Sequence, residues 1–133
     1  MAAEREEELM RALIVVTAAA AMLVPATAQA MSVAEFLAKA NALKAKGFLA
    51  LGSPDIKLLR AEVERASDAY RADLATARAA GRPAHSCPPP KGKAKIGSNE
   101  LIAEFEAIPP AQRGVSVKSA FYAMMKKRFP CRG

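Results

Sequence analysis

Tryptophan is absent from this 133-residue chain, and its other rings are few: five Phe, two Tyr and one His. Proteins that grip single strands of nucleic acid stack bases on aromatic side chains interleaved with cations. Here the rings fall at helical spacing instead, which argues against nucleic acid as a partner despite the excess of Lys and Arg. One His and two Cys cannot by themselves complete a structural zinc site, so no metal is expected. No cofactor is expected either. "GKAKIGS" (92–98) has the glycine spacing of a phosphate-binding loop but lacks the lysine before the hydroxyl and follows no strand. Met124 and Met125 read as core filler. Alternation of apolar and polar residues is nowhere sustained and no repeat is visible, so the chain reads as all-α.

A second absence is of charge. Between Arg11 and Glu35 no ionisable side chain occurs, and this stretch runs from "ALIVVTAAAAMLVP" into "ATAQA". An apolar core followed by small residues at Ala28 and Ala30 is the pattern of a signal peptide, with cleavage expected after Ala30. The ten residues ahead of it, "MAAEREEELM", are acidic where a basic start is usual; translation from Met10 restores that start. An uncleaved anchor needs about 20 apolar residues, and Pro25, Thr27, Gln29 and Ser32 make a poor second half for one. No membrane span is therefore expected after cleavage. The expected organisation is a leader over 1–30, then one helical domain over 31–133 with a Pro- and Lys-rich linker at 81–97. Removing the leader takes away Arg5, Arg11 and four Glu, leaving 18 basic against 9 acidic residues, a net charge of +9. For an exported protein the available polyanions are lipid head groups, cell-wall carboxylates and acidic proteins.

Four helices are expected in the exported part. "SVAEFLAKANALKAKG" opens on a capping box, Ser32 with Glu35, places Val33, Phe36, Leu37, Ala40 and Leu43 on one face, and stops at Gly47. An apolar connector, "FLALGSPD", leads to Ser53 as the next N-cap, with Pro54 in the first turn. The second helix runs to about Ala80, its apolar stripe being Ile56, Leu59, Val63, Ala66, Tyr70, Leu74 and Ala77. At about 40 Å it is longer than so small a domain needs; part of it should protrude or pair with a second copy, and a homodimer is the expectation. Ser98 is expected to cap a third helix, "NELIAEFEAI", ended by Pro109 and Pro110. Ser116 caps a fourth, with Val117, Phe121 and Met124 inward and Pro130 behind it.

Cys87 and Cys131 each lie just outside a helix, ahead of the third and behind the fourth. An even cysteine count in an oxidising compartment is most simply one disulfide, which here closes the C-terminal helical hairpin at its open end. His85, two residues before Cys87, is badly placed as a base for it, and a bridged cysteine attacks nothing. No catalytic residue is expected and the chain reads as non-enzymatic. Lys91, Lys93 and Lys95 in the linker, with Lys126, Lys127 and Arg128 in the last helix, form either a joint site for an acidic partner or a solubilising surface.

From "CPPP", through the Leu-rich "ELIAEFEAI" and the turn "IPPAQR", to "RFPC", residues 87 to 131 resemble the Rap/Tai immunity family of type VI secretion. Residues 31–80 depart from that family, whose members commonly carry a further cysteine pair and a Cys-Gly-Tyr-like stretch there; this chain has no cysteine and only Tyr70 in that range. The resemblance implies a small helical periplasmic protein that binds and neutralises a peptidoglycan-cleaving amidase effector. The alternative is a basic envelope protein that associates with anionic cell-wall or membrane surfaces through its charge.

Overall fold

Each expected helix begins where a hydroxyl or a glycine can meet the free amides of a first turn. The structure, a computed structural model, describes Arg5 and residues 30–132. Helix α1 (Val33–Lys46) follows Ser32, whose hydroxyl accepts from the Glu35 amide at 3.1 Å, one of the two bonds of a capping box. Gly47 ends it at φ 55°, a left-handed setting that costs glycine nothing. A short 3-10 helix, Gly47–Gly52, turns the corner into α2 (Pro54–Ala79), where the Ser53 hydroxyl accepts from the Asp55 amide. Helix α3 (Ser98–Glu106) corrects the expected cap: the Leu101 amide bonds to the Gly97 carbonyl, so Gly97 is the N-cap and Ser98 already stands in the first turn. The Ser98 hydroxyl is thereby one position too late to cap. After a 3-10 turn, Pro110–Gln112, Ser116 caps α4 (Val117–Arg128) by accepting from the Ser119 amide.

The four helices enclose one core. Val33, Phe36, Leu37 and Ala40 of α1 meet Leu59, Ala66 and Tyr70 of α2, Leu101 and Phe105 of α3, and Val117, Ala120, Phe121, Met124 and Met125 of α4. Both methionines are filler, as expected. Helix α4 packs most broadly on α2, and α3 packs on α1 through an edge contact of the Phe36 and Phe105 rings, 5.3 Å between centroids. At 26 residues α2 spans about 39 Å. Its stripe is covered within the chain from Leu59 to Tyr70, whereas most of its last turn and a half, from Ala75 onward, faces solvent.

Helices α3 and α4 form a C-terminal hairpin in which Glu100 and Glu104 of α3 pair with Arg128 (3.2 Å) and Lys127 (3.5 Å), both in the last turn of α4. The Cys87–Cys131 disulfide closes this hairpin at its open end, and the Cys87 amide also donates to the Phe129 carbonyl at 2.8 Å. At the other end Arg113 caps α3, its Nε donating to the Ile108 carbonyl and its Nη2 to the Glu106 carbonyl, both at 2.8 Å. A cation there also suits the helix dipole. The entries of α1 and α4 satisfy each other: Val33 and Ala34 donate to the Val115 and Arg113 carbonyls, and Val117 donates to the Met31 carbonyl, each at 2.9 Å. These bonds consume amides that a first turn leaves free, and they bury Met31, Val33 and Val117.

The expected leader, with Ala28, lies outside the described residues except for Arg5 and Ala30; Ala30 is exposed. Among the described residues no helix is long and apolar enough to cross a membrane.

Candidate interaction surface

The six cations singled out from the sequence divide into two groups with different surroundings. Lys91 pairs with Asp68 of α2 at 3.3 Å, while Lys127 and Arg128 pair with Glu104 and Glu100 of α3. Such exposed pairs are worth about 0–1 kcal/mol each, yet they reduce the net charge that half of the cluster offers a partner. Lys93, Lys95 and Lys126 are exposed and have no acidic side chain within salt-bridge distance among the described residues. The disulfide draws the linker to the end of α4, but Lys91 leans onto α2 while Lys127 and Arg128 lean onto α3.

Between α1, α2 and the segment that leads into α3 lies a groove of about 420 Å³, within the size range of ligand clefts. Leu43 of α1, Ile56 and Val63 of α2 and Ile96 of the linker are half-buried along it. Its rim carries Arg60, Arg71 and Lys91 against one carboxylate, Glu64. Arg71 is fixed there by donating to the Pro89 carbonyl at 2.9 Å, which also ties the proline run to α2. Helical periodicity predicted that Ile56 and Val63 face inward. It gave no sign that the linker stands off from them and leaves a cleft.

Tyr70, His85, Ser86, Asp73 and Tyr122 form a polar aromatic cluster on the other side of Arg71. The buried Ser86 hydroxyl bonds to the Tyr70 hydroxyl and lies 3.2 Å from His85 Nδ1, and the Tyr70, His85 and Tyr122 rings meet edge to face. A serine beside a histidine suggests a nucleophile, but Ser86 is 1% exposed. Its oxygen is committed to Tyr70, and no carboxylate among the described residues orients the ring. The arrangement serves to satisfy a buried Tyr hydroxyl and to hold the linker on α2. Tyr122 donates to the Asp73 carboxylate. Burial first, then that bond and the Asp73 charge, raise its phenol well above the usual tyrosine range.

The native state thus keeps the Tyr122 proton at a pH where the unfolded chain, with an ordinary phenol near about 10, has lost it. Its contribution to stability is complete below pH of about 10 and is lost as pH rises toward the native value. Urea unfolding across alkaline pH should show this decline, and Tyr122→Phe should flatten it. An unchanged slope in the variant would contradict the assignment.

Among the described residues no three His, Cys, Asp or Glu side chains stand close enough together to hold a metal ion. Compared with known families, curated proteins and solved structures, the chain matches none.

Proposed function

We propose that the chain is an exported, non-enzymatic binding protein of the immunity type, which neutralises a peptidoglycan-cleaving amidase in the periplasm. The resemblance over residues 87–131 suggests the partner class. The observation that carries the reading is the groove: half-buried apolar walls under a rim where Arg60 and Arg71 outnumber Glu64, with Lys91 beside them in its pair with Asp68, suit an acidic protein segment with an apolar anchor. The groove joins the two parts of the chain: Leu43, Ile56 and Val63 come from the half that departs from that family, and Lys91 and Ile96 from the part that resembles it.

The test is direct mixing with an amidase encoded beside this gene. A stable complex and loss of peptidoglycan hydrolysis are expected. Leu43→Glu with Ile56→Glu should weaken the complex by about tenfold or more, because both side chains are half-buried in the groove wall. An amidase that stays fully active in excess protein would overturn the reading. A second reading, association with anionic cell-wall surfaces, is favoured by Lys93, Lys95 and Lys126, which are exposed and have no acidic partner among the described residues. Ionic strength separates the two, because lysine-carried association collapses as salt rises while an interface with an apolar centre survives. A homodimer through α2 is also part of the proposal. Sedimentation as a monomer at high protein concentration would count against it.

A further inference from the structure

Among the described residues, the corner between α1 and α2 carries the most exposed of the large apolar side chains. Phe48, Leu49 and Leu51 are 93%, 86% and 78% exposed, within four residues of one another. Scattered surface Leu residues are ordinary, but a contiguous apolar tip marks a contact site. Its backbone explains the exposure. A 3-10 helix has three residues per turn, so of the three edges of Gly47–Gly52 the one turned to the domain carries Gly47 and Ala50, and Ala50 is the only buried residue there. The two outward edges receive the large residues. Around the tip the surface is open, since a methyl group built on Gly47 or Gly52 would meet nothing within 4 Å.

Cations surround this tip. Lys44 and Lys46 lie in the last turn of α1, and Lys57 stands in the first turn of α2 with Arg60 one turn further. Of the acidic side chains nearby, Asp55 pairs with Lys39 at 3.5 Å, and Glu106 meets Lys44 only at 4.0 Å, which leaves the largely exposed Lys44 ammonium open to a phosphate.

We propose that this corner docks onto anionic lipid bilayers, with Phe48, Leu49 and Leu51 entering the boundary between head groups and acyl chains while Lys44, Lys46 and Lys57 meet the phosphates. A convex apolar tip has no wall against which a protein partner would pack, whereas a bilayer accepts it without a matching shape. The collar of lysines complements the negative surface potential of anionic lipid. This docking is independent of amidase binding, which was assigned to the groove.

The chain contains no tryptophan, so Phe48→Trp introduces a single indole that reports on this corner alone. With vesicles of phosphatidylcholine and phosphatidylglycerol, its emission should move to shorter wavelength and be quenched by lipids brominated in the acyl chain. Pure phosphatidylcholine should give a much smaller effect. Adding Leu49→Ser and Leu51→Ser, or replacing the three lysines by Gln, should lower partitioning by about tenfold or more. Thermal unfolding of these variants should be nearly unchanged, as the side chains are exposed. Unaltered indole emission on vesicles that nevertheless pellet the protein would place the contact elsewhere and overturn the proposal. So would a spectral shift without lipid that grows with protein concentration, which would assign the tip to a second copy.

Discussion

Cys87→Ser lowers the stability of the oxidised protein by about 2–5 kcal/mol, Cys131→Ser does the same, and the double variant loses little more than either alone. The reason is that both substitutions remove one bond. It joins residues 44 apart, and in the chain-entropy account closing a loop of that size raises the free energy of the unfolded chain by about 4 kcal/mol. For a domain of this size that is a large fraction of the total. The position of the bridge adds to its effect, since it ties the linker to the end of α4, where the Cys87 amide already bonds to Phe129. Peptide mapping without reductant should find the two cysteines linked within one chain. Equal stability of wild type and Cys87→Ser under oxidising conditions would remove the bridge from the account.

Phe105→Ala should cost about 3–5 kcal/mol, as for other large rings cut from a packed core. Phe105 is 1% exposed and holds α3 against α1 through the Phe36 ring. Helix α3 has nine residues, too few to persist alone in water. Its other attachments are weaker: Leu101 and the partly buried Ile102, the Arg113 cap, the Lys44–Glu106 pair to α1 and two ion pairs to α4. Loss of the ring should therefore release α3 before the rest of the domain, so amide exchange in 98–106 should accelerate more than in α2. Uniform acceleration over all four helices would show instead that α3 unfolds only with the whole.

Much of the local architecture is legible because its causes lie within a few residues. Ser32, Ser53 and Ser116 cap amides two or three positions away, and Gly47 stops α1 by its own backbone freedom. The buried faces of α1, α2 and α4 follow from spacings of three and four. The third start is displaced by one residue: the Leu101 amide bonds to the Gly97 carbonyl, so the glycine takes the cap and Ser98 the first turn. Pairing of the cysteines was legible for a different reason: with only two in the chain, one intramolecular bridge is the single pairing possible.

By itself, the sequence determined the helices, their inward faces, the excess of positive charge and the bridge, since period, capping and count are properties of the chain read in order. Only the tertiary structure decided that the entries of α1 and α4 share hydrogen bonds, that Ser86 meets Tyr70, that a groove opens beside Val63, and that Phe48, Leu49 and Leu51 face solvent. Those outcomes join residues far apart in the chain, as Met31 and Val117 are, or depend on which edge of a short turn meets the core. A hydrophobic period shows that a face is to be covered; what covers it, and how completely, is set by how the helices cross and where the connections between them run.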